Sequence, residues 1–513
     1  MSLEVVLGAV AGVVLLGVIA VRVSVRLGLP SLLLYLAIGM LLGEAVLGLQ
    51  FSDARLTENI GIAALVLILI EGGMTTRWET VRPALGIGIG LSTISVAVSI
   101  GVAGTALHYL LGLDWRVAFL WGAVLSSTDA AAVFSVLRGV GVSPRLAGAL
   151  ELESGMNDAP VVLAVILLAS TEAITWVTPA LVVYELLAGG LIGLALGFGG
   201  AWALRRAALP STGLYPLATM AVCVLAFAGG QLLHASGLLA TYVAALVLGN
   251  SRLPHRGGVV SFAEGTGWLA QIGLFVLLGL YSSPARLVDA LVPALICAGV
   301  LLVLARPLSV VAAALPFRLP WREQAFLSWS GLRGAVPIVL ALIALVEGAP
   351  GGERLVDVVF VLVVFLTLLQ GTTLPWVARF LGVAKGSEPQ EIGVDAAPLD
   401  ELDASLLQVR IPVGSKLQGV YLRELRLPSG AMVSLVVRDE AAFTPDGETR
   451  LRERDQLLIV ATASSRARAE ERLRAVDRGG ALVRWRDTSG GGRPDSSDPD
   501  PKARRPGTPG APA

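Results

Sequence analysis

Long apolar runs decide the architecture of this chain. A helix that crosses a bilayer needs about 20 mainly apolar residues. Thirteen stretches are candidates, at roughly 3–21, 30–48, 57–74, 83–111, 115–137, 146–170, 179–204, 213–234, 237–250, 266–282, 287–315, 323–346 and 354–381, of which the ninth is short. The chain is 55% hydrophobic and 15% charged over 513 residues, which excludes an ordinary soluble protein. The fold class is therefore an all-α polytopic membrane protein of about 13 transmembrane helices, followed by a small α/β domain. The first stretch lacks a basic leader and a clear cleavage site, so it reads as a spanning helix and not a signal peptide.

Loop charges test the count. With the N-terminus outside, the cytoplasmic loops hold Arg22, Arg26, Arg77, Arg82, Arg138, Arg145, Arg205, Arg206, Arg252, Arg256, Arg318, Arg322, Arg379 and Lys385. The outer loops hold only Arg55, Arg116, Arg286 and Arg354. This is the bias of the positive-inside rule. It puts the C-terminal domain in the cytoplasm and the spans in the cell (inner or plasma) membrane. The net charge is formally zero and suggests no nucleic acid. Cys223 and Cys297 lie in apolar runs and read as small hydrophobes. The three histidines show no metal-ligand spacing, and no cofactor is called for.

Charges inside the spans mark the candidate site. Asp129 follows Ser126-Ser127-Thr128 in the fifth span, and Glu153 and Asp158 flank Ser154-Gly155-Met156-Asn157 in the sixth. A charge at the bilayer centre costs at least ~2.5–3.5 kcal/mol and is by default functional. Pro160 leaves the carbonyl of Met156 without its helical partner. Arg333 sits between Gly331, Gly334 and Pro337 in the twelfth span. The fifth and twelfth spans thus both read as broken, in opposite halves of the chain, which points to inverted repeats with two crossing broken helices. Arg306, beside Pro307, is expected to snorkel toward the cytoplasmic side.

Beyond residue 384 the composition changes. The expected division is a transmembrane domain at 1–384, a linker at 385–400, a soluble domain at 401–477 and a disordered tail at 478–513. Strands are expected at Leu406–Val413, Ala431–Val437 and Gln456–Ala461, with helices at Leu417–Leu425 and Ser465–Val476 and a turn at Asp446-Gly447.

Three motifs in order, Ser127-Thr128-Asp129-Ala130-Ala131, Glu153-Ser154-Gly155-Met156-Asn157-Asp158 and Gly331-Leu332-Arg333-Gly334-Ala335, resemble those of NhaP-type monovalent cation/proton antiporters of the sodium/proton-exchanger fold. Glu71-Gly72-Gly73-Met74 is similar to the family's acidic-Gly-Gly-Met element. Residues 400–476 resemble the TrkA-C type of regulatory domain; no G-x-G-x-x-G follows a strand there, so NAD is not implied. The resemblance implies exchange of K⁺, with Na⁺ as alternative, for H⁺ by alternating access. It implies that Asp158 holds cation or proton, with Thr128, Ser154 and Glu71 as further candidate ligands, and that Asp129 stabilises half-helix ends. It implies a Glu153–Arg333 ion pair, a homodimer, and a small nucleotide as candidate partner of the regulatory domain. Asn157 stands where some relatives carry a second acid, so electroneutral exchange is expected.

Each residue has a plainer reading. Thr128 and Ser154 are also helix-packing hydroxyls. Asp129 is structural support or ligand, and Glu71 is a ligand, a gate or an acid near a span end. Desolvation disfavours the charged form of a carboxyl group, so proton and cation compete for it. An organic-solute transporter and a gated cation channel are the alternatives, but no T-V-G-Y-G filter is present. An intramembrane aspartyl protease would need a G-x-G-D segment, which is also missing.

Overall fold

The structure is a computed structural model, and it describes residues 2–43, 53–129, 141–170, 175, 177–384, 394–399, 404–412, 414–438 and 441–479. These fall into two compact units that divide after residue 387.

The first unit is helical. Among the described residues, nine helices are long and apolar enough to cross a membrane, and four shorter apolar helices accompany them. Together they supply one helix for each of the thirteen predicted spans. In chain order they are α1 (Leu3–Leu27), α2 (Ser31–Leu42), α3 (Ala54–Thr75), α4 (Trp78–Leu111) and α5 (Trp115–Ser126). The sixth span is α6 (Pro144–Met156) and α7 (Asp158–Ala169). Then come α8 (Thr178–Arg206), α9 (Leu214–Leu232), α10 (Gly237–Gly249), α11 (Arg256–Tyr281) and α12 (Pro284–Phe317). The twelfth span is α13 (Trp321–Trp329) and α14 (Ala335–Val346), and α15 (Gly352–Phe380) is the last.

Local chemistry sets the ends. Asp53 caps α3 by accepting from the Leu56 N–H at 2.9 Å. Ser143 caps α6, with Pro144 in the first turn where its missing N–H costs nothing. Ser236 starts α10 and so fixes the boundary between the eighth and ninth spans. Within α12, a π-helical stretch at Val300–Ala305 precedes Arg306.

Two buried apolar clusters organise the helices. The larger runs through α2, α4, α5, α14 and α15. The second gathers Ile70 and Met74 of α3 with Tyr242 and Leu248 of α10 and Ala263 of α11. Met156 and Val162, on either side of the α6–α7 junction, pack against both. The junction therefore lies on the seam between them.

The second unit is an antiparallel sheet of order β1-β2-β5-β3-β4, from β1 (Val394–Leu399), β2 (Ala404–Arg410), β3 (Ala431–Arg438), β4 (Ala441–Phe443) and β5 (Gln456–Thr462). Inward residues alternate along β5, and Leu457 and Ile459 pack with Ala469, Leu473 and Val476 of a helix at Ala463–Gly479. Two expectations are corrected. Residues 394–399, expected as linker, form the edge strand β1, where Pro398 is tolerated. The helix expected from Leu417 begins at Leu422, because Gly419 at φ +84° cannot be helical. Residues 478 and 479, expected in the tail, belong to the helix at Ala463–Gly479, and the remaining linker residues 385–393 and 400 and the tail from 480 lie outside the described residues.

Candidate cation and proton site

The site forms where two helices stop. Helix α5 ends at Ser126, and Ser127 is extended (φ −64°, ψ 140°). Residues beyond Asp129 in this span lie outside the described residues. Helices α13 and α14 are separated by an unwound stretch at 330–334. The two unwound segments meet: the Asp129 N–H donates to the Leu332 carbonyl at 3.0 Å.

Charge is matched to the helix ends. A helix N-terminus is partially positive and a C-terminus partially negative. The Asp129 carboxylate accepts from the Ala335 N–H, the first of α14, at 2.8 Å. Arg333 donates to the Ser126 carbonyl at 3.0 Å and to that of Ser127, at the end of α5. Each broken end thus receives the opposite charge from the other helix. Gly334 permits this approach, since a β-carbon there would stand 2.9 Å from Asp129 Cβ and closer still to its carboxylate. Helix α15 satisfies the unwound backbone: Thr367 donates to the Arg333 carbonyl at 2.8 Å and Gln370 to that of Trp329 at 2.9 Å.

Asp158, the first residue of α7, is 3% exposed and accepts from the Ser127 hydroxyl at 3.0 Å. Asn157 donates to the Thr128 hydroxyl at 2.5 Å. Its amide oxygen is buried and has no hydrogen-bond partner among the described residues. Ser127, Thr128, Asn157 and Asp158 therefore form one buried cluster of oxygens. Buried polar atoms are normally paired, so the bare amide oxygen is consistent with a ligand position.

The remaining predicted residues are placed less directly. Ser154 is buried, and its hydroxyl donates back to the Leu150 carbonyl at 2.8 Å. Glu71 is half-buried and accepts from Gln271 at 3.4 Å across the α3–α11 crossing.

One expected pair is replaced. Glu153 is paired with Arg306 and not Arg333. Two guanidinium nitrogens meet its two carboxylate oxygens, one at 2.9 Å. Arg306 does not snorkel. It is 5% exposed, follows the π-helical stretch, and lies against Gly331, where a β-carbon would stand 2.6 Å from its Nε. Arg333 is turned to the α5 carbonyls instead. The signal available in the sequence was that Arg306 sits deep in an apolar run, where a charge requires a partner. Ser127, Thr367 and Gln370 were also missed, although Ser127 belongs to a quoted motif.

Residues 10–380 match the transmembrane sodium/hydrogen exchanger family, and residues 406–474 match the TrkA-C domain. The K(+)/H(+) antiporter NhaP of Alkalimonas amylolytica is 38% identical over 437 residues, 83% of this chain and 75% of that one. The K(+)/H(+) antiporter NhaP2 of Shewanella baltica is 35% identical over 455 residues, 86% and 78%. The Na(+)/H(+) antiporter ApNhaP of Aphanothece halophytica is 32% identical over 362 residues, 66% and 68%. The solved sodium proton antiporter MjNhaP1 of Methanocaldococcus jannaschii is similar in fold, with a TM-score of 0.65 and 22% identity, over 75% of this chain and all of that one.

Proposed function

The chain belongs to the sodium/hydrogen exchanger family and is a multi-pass K⁺/H⁺ or Na⁺/H⁺ antiporter with a TrkA-C regulatory domain; we propose that K⁺ is its cation and that Asp158 carries cation and proton in turn. The observation that carries the site is the buried oxygen cluster on the seam between the two apolar bodies. K⁺ is favoured because two of the most similar relatives are K(+)/H(+) antiporters. Na⁺ remains the alternative cargo.

The chemistry follows from the atoms. A hard monovalent cation prefers oxygen ligands. The Asp158 carboxylate, the Ser127 and Thr128 hydroxyls and the Asn157 amide oxygen offer them, with Ser154 and Glu71 as further candidates. A proton on Asp158 removes the negative charge that attracts the cation, so the two cargoes exclude each other. Asn157 is neutral and adds no second titrating acid beside Asp158, which supports one cation exchanged for one proton. Asp129 and Arg333 hold the crossing by neutralising helix ends. Relative motion of the two apolar bodies along their seam would present the site to each side in turn. The N-terminus is proposed to lie outside, the second unit in the cytoplasm, and the protein in the cell membrane as a homodimer. A small nucleotide is the proposed ligand of the TrkA-C domain.

The test is proton movement in proteoliposomes carrying an internal pH dye. KCl or NaCl, but not choline chloride, should drive flux in the wild type, independent of a clamped voltage. Asp158→Asn should lower flux at least 100-fold in protein that still inserts. Full flux in that variant would remove Asp158 from the mechanism.

A further inference from the structure

One face of the sixth span runs from Glu151 through Gly155 to Asp158. Residues three and four apart share a helix face, and Asn157 keeps near-helical backbone (φ −73°, ψ −23°) between α6 and α7. Tyr242 of α10 lies across the middle of this stripe. A β-carbon at 155 would stand 2.9 Å from its Cδ2 and closer still to its Cε2 and Cζ. Only a glycine admits the ring there. Tyr242 is 1% exposed. Its hydroxyl lies beside Thr76 and within electrostatic reach of Glu151. Tyr242 belongs to the second apolar cluster, while Met156, next to Gly155, touches both. The ring therefore meets the sixth span at the seam between the two clusters.

We infer that Tyr242 is the gate of a cation route to Asp158, with Glu151 as the acid at its mouth. The mouth opens on the side of the membrane where α6 begins. A cation passing from Glu151 to Asp158 must cross the strip of backbone that the ring covers. A flat ring on bare glycine excludes water, and a cation stripped of water does not cross an apolar contact. Glu151 is half-buried two turns from Asp158, and a fixed negative charge at a cleft raises the local cation concentration. The assignment rests on Asp158 as the exchange site.

The experiment is the same flux assay with four variants beside Asp158→Asn, in protein that elutes as a single species. Glu151→Gln should raise the cation concentration for half-maximal flux about 3- to 10-fold, with the maximal rate within twofold. Tyr242→Ala should dissipate a pH gradient in choline alone at least fivefold faster than wild type. Tyr242→Phe keeps the ring and should remain coupled. Gly155→Ala, which displaces the ring, should leak like Tyr242→Ala, and it carries the test if the latter fails to fold. Wild-type coupling in Tyr242→Ala and Gly155→Ala, or unchanged cation dependence in Glu151→Gln, overturns the gate. If Asp158→Asn is inactive in the same series, the exchange site stands while the gate falls. Activity in Asp158→Asn removes both.

Discussion

Replacing Arg306 by Leu isolates the Glu153 carboxylate in a site where its side chain is 2% exposed. The change removes both bonds to Glu153 and the 3.2 Å donation from Arg306 to the Leu327 carbonyl. Removing one partner of a buried pair costs about 3–5 kcal/mol, because the other charge stays behind. That is roughly two to three and a half powers of ten in the unfolding equilibrium. Glu153→Leu should cost a similar amount. The double variant should recover most of the loss, since an apolar pair of similar volume in such a site is often neutral. The coupling energy of the Glu153/Arg306 cycle is then at least about 3 kcal/mol. The same cycle on Glu153/Arg333 should give about 1 kcal/mol or less, the range of charges that interact without contact. Equilibrium unfolding in mixed micelles at increasing dodecyl sulfate reads all the variants. A larger coupling to Arg333 than to Arg306 would refute the pairing described above.

Two further outcomes follow from close contacts. Gly334→Ala should force the Asp129 carboxylate off the start of α14 and destabilise the protein by about 1–3 kcal/mol, the usual range for overpacking; a thermal midpoint equal to wild type would contradict the contact. In the second unit, Asp455 is fully buried and accepts from Arg438 at 2.9 and 2.8 Å. Arg438→Ala should destabilise that unit by about 3 kcal/mol, seen as faster amide exchange over 404–479 with the spanning helices unchanged. Equal protection throughout would exclude this role.

Much of the architecture was legible because it is written along one dimension. Apolar length marks a spanning helix wherever it sits, so each of the thirteen stretches found its helix. The break in the twelfth span was equally local, signalled by Gly331, Gly334 and Pro337. The partner of Glu153 was not local. Arg306 and Arg333 are both charges in apolar runs, and only the packing of α12 against Gly331 decides which one reaches α6. Span α15 carries no charge near the site, so nothing marked Thr367 and Gln370 as the groups that bond the carbonyls freed by the break. Strand β1 was hidden by the polar composition of 385–400, which reads as a linker until pairing with β2 makes 394–399 an edge strand.

The reciprocal matching at the crossing has a consequence for slippage. Asp129 and Arg333 are each set against a helix end of opposite sign, and Glu153 is set against Arg306. On the proposed reading, the charge that changes during the cycle is that of Asp158 alone. Loaded with a proton or a monovalent cation, the moving body carries a neutral centre through the apolar seam. Empty, it would carry a bare carboxylate there, and an isolated buried ion is costly by many times the thermal energy. The empty carrier is thereby arrested on whichever side it was unloaded. The two cargoes are obliged to travel in opposite directions, and a gradient of one is stored as a gradient of the other without idle turnover.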